Sequence, residues 1–377
     1  MNYLSGLANK DFSGQTCVLR VDFNVESVRD SFRLASSLPT IKFLLERNAK
    51  IVILSHRGRP PGTWDSNQNQ FDSGLNPMFL ALRKFSLRFI ARFLESQLKT
   101  SVVFLPYETA NKILRQSAFT PRKSADIFLV ENLRFWPGEE NNDLNFAKKL
   151  ARLGDFSPFR KGRGPLAVRD FYVNDAFAVC HRKNASVTQL PKLLPSYAGL
   201  LLEKEIKTLS KVAQSPESPL VLIFGGVKFE DKFPVIKRFL NKTEAVLLGS
   251  ASLRMKENLS DSGKIHKPVD WVSEEGKILD IGPLTVESYS SFIKKAKTIV
   301  WNGPLGYFED KRFAKGSFAI AKAIANSGAF SVVGGGETTQ LILSLKLEKK
   351  FNFLSTGGGA MLEFLAGKKL PGIEALE

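Results

Sequence analysis

Phe330-Ser331-Val332-Val333-Gly334-Gly335-Gly336-Glu337-Thr338-Thr339 is a β-branched, apolar run that enters three glycines and then a helix-like stretch. A strand feeding a helix through glycines leaves backbone N–H groups unpaired at a helix N-terminus, where the peptide dipoles add partial positive charge. That is a phosphate cradle set in a parallel sheet. Further on, Phe351 to Leu354 runs into Ser355-Thr356-Gly357-Gly358-Gly359 in the same manner. A single triplet reads as a tight turn that needs positive φ. Two in the same context point to a nucleotide with more than one phosphate.

The same alternation extends outward through the whole chain. Apolar runs at Thr16 to Asp22, Lys50 to Ser55, Ser101 to Leu105, Asp126 to Val130 and Phe171 to Val173 read as strands. So do Pro219 to Phe224, Ala245 to Leu248, Thr298 to Trp301 and Phe330 to Val333. Helical patterns fall between them: Pro39 to Asn48, opened by its proline, Met78 to Leu98, Asn145 to Leu153, Lys232 to Leu240 and Gly316 to Ala325. Near-continuous apolar strands alternating with helices predict α/β architecture, with parallel sheets covered on both faces. A chain of 377 residues exceeds one ordinary core, so two domains are expected. The two prolines of Thr188 to Gly199 mark the change between them.

Composition narrows the function classes. An apolar content of 43% supports folded domains over disorder. The net charge of +17 points to phosphates or other polyanions, much of it carried by scattered lysines. Cys17 and Cys180 are the only cysteines, which fits a reducing cytosol and excludes a disulfide framework or a zinc site. No secretory signal is visible at the N-terminus, and no apolar run approaches the ~20 residues that span a bilayer.

Ligands of open α/β sheets bind beyond the carboxyl ends of the strands. In the first half those ends collect Arg20, Asp22, Asn24, His56, Arg59 and Arg134, with Arg33 and Arg182 nearby. Planar guanidiniums grip phosphate and carboxylate bidentately, so this set suits a small polyanion. In the second half Gly225-Gly226-Val227-Lys228 and Lys232 end a strand and open a helix, and two lysines one turn apart present two point charges.

In order and spacing these segments closely resemble phosphoglycerate kinase, from about Gln15 to Ile373. The resemblance is carried by Arg20-Val21-Asp22-Phe23-Asn24-Val25, by Arg33 ahead of Leu38-Pro39-Thr40-Ile41, and by Ser55-His56-Arg57-Gly58-Arg59-Pro60. Glu131-Asn132-Leu133-Arg134-Phe135 follows, then Tyr172-Val173-Asn174-Asp175-Ala176-Phe177 with His181-Arg182. The set continues with Gly225-Gly226-Val227-Lys228, Asp231-Lys232 and Trp301-Asn302-Gly303-Pro304-Leu305-Gly306-Tyr307-Phe308-Glu309. The two glycine triplets and Leu370-Pro371-Gly372 complete it.

The resemblance implies two Rossmann-like parallel-sheet domains joined by a hinge. Residues 1–187 form the 3-phosphoglycerate domain, 188–199 the hinge segment, 200–360 the nucleotide domain, and 361–377 a tail returning to the first domain. It implies that Asp22, Asn24, Arg33, His56, Arg59, Arg134 and Arg182 bind 3-phosphoglycerate or 1,3-bisphosphoglycerate. Lys232, Asn302, Glu309, Gly335, Gly336, Glu337 and Thr338 bind MgADP or MgATP, with Glu337 beside the magnesium. Arg33, Lys228 and Lys232 are the catalytic cations. A cytoplasmic monomer is implied, with neither membrane nor nucleic acid as partner. The alternative is a catalytically impaired relative acting as a basic binding protein.

The chain departs from the family pattern at Glu26, at Asn184 and at Glu337, which stands where an aspartate is usual. Leu248 to Ser252 and Ile278 differ where the family lines the adenine, and a basic insertion runs from Phe156 to Asp170.

Overall fold

β1 (Thr16–Arg20), β2 (Lys50–Leu54), β3 (Val102–Leu105), β4 (Ile127–Val130), β5 (Phe171–Asn174) and β6 (Ser196–Ala198) form a parallel six-stranded sheet in the order β3-β4-β2-β1-β5-β6. The strands at its centre are buried along their length, as their unbroken apolar sequences require. The computed structural model describes residues 1–28, 31–60, 77–115, 125–155, 170–254 and 263–377. Residues 156–169, nearly all of the expected insertion, lie outside the described residues.

The chain divides into two units, Met1–Lys204 with Leu370–Glu377, and Glu205–Lys369. The second unit holds another parallel six-stranded sheet. Its strands are β7 (Leu220–Phe224), β8 (Ala245–Leu248), β9 (Ile265–His266), β12 (Thr298–Asn302), β13 (Phe330–Gly334) and β14 (Phe353–Leu354), in the order β14-β13-β12-β7-β8-β9. An antiparallel hairpin, β10 (Trp271–Glu274) with β11 (Lys277–Ile281), is added to this unit. Among the described residues no helix is long and apolar enough to cross a membrane.

Three elements differ from the sequence expectation. Pro39 does not open its helix but lies inside Ser31–Leu45. A proline there removes one ladder hydrogen bond and costs ~3 kcal/mol or more. Burial of Leu34, Leu38, Ile41 and Leu44 at helical spacing offsets that cost. The stretch 78–98 is two helices, Pro77–Phe85 and Arg88–Leu98. Glu131, just past β4, divides them: its carboxylate accepts from Leu87 N at 2.8 Å and from Ser86 Oγ at 2.8 Å. Residues 188–199, expected to connect the domains, carry short helical turns and β6, which pairs with β5 inside the first unit.

Candidate active site

Strand register sets the first half of the site. Arg20 at the end of β1 pairs with Leu54 of β2 and Asn174 of β5, so the residues that follow these strands emerge at one sheet edge. Asp22 lies there buried, accepting from Arg33 Nη1 at 3.1 Å through Oδ2 and from Asn24 N at 3.1 Å through Oδ1. Arg33 also donates to the Asn24 carbonyl at 3.2 Å. Asn24 Oδ1 in turn accepts from Gly58 N at 2.8 Å, which ties the turn after β1 to the turn after β2. Arg134 donates to the Gly58 carbonyl and pairs with Glu140 at 3.0 Å.

The arginines gather closely enough to repel one another. Burial holds the Arg134 and Arg182 guanidiniums below their ordinary range. Mutual repulsion, with Arg59 acting on both, adds to the shift. The counter-charges are few: Asp22 on Arg33, Glu140 on Arg134, and Glu139 at 4.0 Å from Arg20. A basin of this kind recruits an anion of several charges. Burial raises Asp22, but the Arg33 and Arg20 guanidiniums and the Asn24 N–H outweigh it and hold the carboxyl below the usual carboxylate range. Burial drives His56 well below the ordinary histidine value, so it is neutral, and its 3.7 Å approach to Asp22 is not an ion pair.

In the second unit Asn302 pairs with Phe224 and with Gly334, which brings the glycines after β7, β12 and β13 to one edge. A cleft of about 790 Å³ opens there. Lys232, Asn302, Glu309, Gly335, Gly336, Glu337 and Thr338 all line it, as does Lys228. Its size falls within the ~300–1,000 Å³ of small-ligand pockets. Gly335 has φ +101°, and a Cβ on Gly336 would meet nothing within 4 Å, so the mouth of the helix Gly336–Ser344 is open backbone. Asn302 Nδ2 is buried without a hydrogen-bond partner among the described residues, and a Cβ on Gly335 would lie 3.4 Å from it. A buried amide donor left unmatched costs ~1–3 kcal/mol, which a phosphate oxygen at the cradle would recover.

The second triplet does something else. It does not line the cleft. A Cβ on Gly358 would stand 3.1 Å from Gly335 Cα, so this loop backs the first one. The glycines after β7 also serve close packing, because Gly225 N donates to Asn302 O at 3.0 Å and Gly226 N to Pro304 O at 2.8 Å.

Lys232 is buried, and its Nζ donates to the Lys228 carbonyl. Burial lowers its pKa, opposed by Asp231 and by Glu337 across the cleft wall. Glu337 is exposed in the cleft, and among the described residues no three acidic, His or Cys side chains gather as a protein-only metal site. That donor set suits magnesium, which keeps its waters and takes one or two carboxylates together with substrate phosphates. Sequence reasoning missed Arg254 and Lys277 in the lining, and gave no role to Tyr307. It also missed the buried Glu139–Ser186 pair beneath the arginine basin, where Ser186 Oγ donates to Glu139 at 2.6 Å. No local motif announces either group.

Comparison with known proteins adds the following. A family model described as "Phosphoglycerate kinase" matches residues 7–255 and 251–368. The phosphoglycerate kinase of Dictyoglomus turgidum is 36% identical over 98% of this chain and 98% of its own length. That of Pseudothermotoga lettingae is 35% identical over 97% and 96%. Among solved structures, the phosphoglycerate kinase of Pyrococcus horikoshii OT3 superposes with a TM-score of 0.77 at 29% identity, covering 100% of this chain and 98% of that one. The Coxiella burnetii phosphoglycerate kinase gives 0.72 at 29% identity, covering 98% of both chains.

Proposed function

The chain belongs to the phosphoglycerate kinase family, and we propose how its own residues carry the reaction of that family. It is a glycolytic kinase that moves a phosphoryl group reversibly between 1,3-bisphosphoglycerate with ADP and 3-phosphoglycerate with ATP. The observation that carries the residue assignments is the shared cleft. Seven positions assigned to the nucleotide, from three separate stretches of the sequence, line one cavity of about 790 Å³.

The first unit takes the glycerate. Asn24, His56, Arg59, Arg134 and Arg182 bind its phosphate and carboxylate, with Asp22 fixing Arg33 in place. The second unit takes the nucleotide: the open N–H groups at Gly335 and Gly336, Asn302 Nδ2, Thr338 and Lys232 meet its phosphates, and Glu309 binds the rest. Magnesium, when bound with the nucleotide, neutralises phosphate charge, and Glu337 is the side chain that would hold it. Phosphoryl transfer passes through a loose transition state that asks the protein for positioning and positive charge, with little covalent help. Arg33, Lys228 and Lys232 supply that charge. The enzyme acts as a hinge-bending cytoplasmic monomer.

The test is a coupled assay of 3-phosphoglycerate-dependent ATP consumption with magnesium, run on wild type and Arg33→Ala. Turnover in wild type, reduced by roughly 10²–10³ in the variant, is the expected result for a lost charge at the reacting group. Folded wild-type protein with no turnover overturns the reading. Full activity in the variant removes Arg33 from the reaction.

A further inference from the structure

Arg20 is almost wholly buried, 1% exposed, and every side of its guanidinium is engaged. Nε donates to Ser186 Oγ at 2.9 Å, and Nη1 donates to the Val21 carbonyl. Glu139 faces Nη2 at 4.0 Å, and Glu139 is itself pinned by Ser186 N at 2.9 Å and Ser186 Oγ at 2.6 Å. Tyr172 OH donates to the Ser186 carbonyl at 2.7 Å and anchors that segment to β5. A guanidinium fixed on three sides has one orientation, and in it Nη2 lies 3.2 Å from Nδ1 of His56.

A guanidinium has hydrogens to donate and no lone pair to accept with. At 3.2 Å from it, Nδ1 must therefore be the unprotonated nitrogen of the ring. We propose that Arg20 is a positioning residue for His56: its Nη2 donates to Nδ1, fixes the imidazole as the neutral Nε2–H tautomer, and leaves Nε2–H as the one donor His56 offers the glycerate substrate. This rests on the reading of His56 as a substrate-binding residue, and it adds the group that decides what His56 can donate.

The other charges around the ring agree. Asp22, Arg20, Arg134 and Arg182 face it. Asp22 is the only acid among them, and its Oδ1 stands 3.7 Å from Nδ1, beyond hydrogen-bond reach, so it does not take an imidazole proton there. Burial and three arginines keep the ring uncharged. His56 thus contributes a directional hydrogen bond to a basin whose charge comes from arginine, and substrate affinity gains nothing from histidine protonation on the acid side of neutrality.

Two-bond ¹H–¹⁵N correlation spectra of the full-length protein test this, with His56 assigned by its absence from His56→Gln. The expected wild-type result is the Nε2–H pattern, unchanged from pH 8 to pH 5.5. In Arg20→Met, Nδ1 loses its donor and Asp22 is less opposed. His56 then titrates at higher pH, and KM for 3-phosphoglycerate falls several-fold as pH drops through that titration while kcat holds. A merely structural role would move neither the tautomer nor the pH profile of KM. An Nδ1–H pattern in wild type, a wild-type titration near the ordinary histidine value, or an unaltered His56 titration in Arg20→Met overturns the proposal. Should Arg20→Met fail to fold, the wild-type spectrum alone decides. Adding 3-phosphoglycerate should shift the Nε2 signal. No shift, with the Nε2–H pattern intact, overturns the substrate-binding reading of His56 and leaves its pairing with Arg20 standing.

Discussion

A methyl group added at Gly336 would meet no atom within 4 Å, whereas one added at Gly225 would lie 1.9 Å from the Pro304 carbonyl oxygen. The two glycines therefore fail differently on substitution. Gly225→Ala pushes backbone against backbone, and overpacking of that kind costs ~1–3 kcal/mol or more. Its unfolding midpoint should fall and nucleotide binding should weaken with it. Gly336→Ala starts a helix with a better helix former and should leave stability within about 1 kcal/mol of wild type. The methyl then fills the cradle, and ADP affinity should drop by roughly tenfold, equivalent to about 1.4 kcal/mol. Calorimetric titration with MgADP checks this, and unchanged affinity in Gly336→Ala would remove that glycine from the phosphate site. The sequence had no means of separating such glycines. Both triplets follow strands and precede helices, and only the close approach of the two loops, where a Cβ on Gly358 would stand 3.1 Å from Gly335 Cα, shows that one backs the other. The cations were legible as strand-end residues, but their convergence depends on register between strands far apart in the chain, such as Arg20 with Asn174.

At the level of elements, the helix Leu200–Gln214 begins on a buried acid. Leu201 N and Leu202 N donate to Asp175 Oδ1 at 2.9 and 3.2 Å, and Leu200 N donates to Thr40 Oγ1 at 3.0 Å. A helix N-terminus favours a negative charge, yet here desolvation wins and Asp175 is pushed up to about 7. The sign follows from linkage. The folded state holds the proton more tightly than the unfolded chain, so the stability from this group is complete below the ordinary aspartate range. It is lost as pH rises through about 7. A shift from 3.8 to about 7 corresponds to about 4 kcal/mol at most. Asp280, pushed up to about 6 in the second unit, acts in the same direction. Asp175→Asn keeps an acceptor for the helix and removes the titration. Denaturant midpoints at pH 5 and pH 8 should therefore differ less in the variant than in wild type. An equal difference in both would show that Asp175 does not carry the effect. The sequence exposed this element only in part. Apolar periodicity revealed the main strands and helices, since burial dictates it. The break at Ser86-Leu87 came from the Glu131 carboxylate just past β4, and the exposed strand Trp271–Glu274 has no buried face to impose a pattern.

At the scale of the whole molecule, the first unit is closed by residues from the far end of the chain. Leu370–Glu377 pack with Met1–Lys204, with Leu370 and Leu376 buried. Gly372 N donates to the Cys180 carbonyl at 2.8 Å, and the Gly372 carbonyl accepts from Asn174 Nδ2 at 3.4 Å. A Cβ on Gly372 would lie 2.6 Å from Val187, so the turn is seated against the segment that follows β5. Eight residues with two buried leucines carry no periodic signal. In the sequence a returning tail was expected only through resemblance, over 361–377, whereas residues 370–377 are the ones that group with the first unit; the parallel-sheet class was legible from the strands themselves. Burying two leucines is worth ~1.5–3 kcal/mol each, a large share of the ~5–15 kcal/mol that holds a domain folded. Truncation after Lys369 should therefore lower amide protection in β5 and around Ala176 to Val187, and leave the strands of Glu205–Lys369 protected. Hydrogen exchange read strand by strand distinguishes the cases. Losses confined to the first unit place the tail in its core. Losses spread evenly through both sheets would mean that the last eight residues stabilise the chain by some route other than closing the unit they pack with.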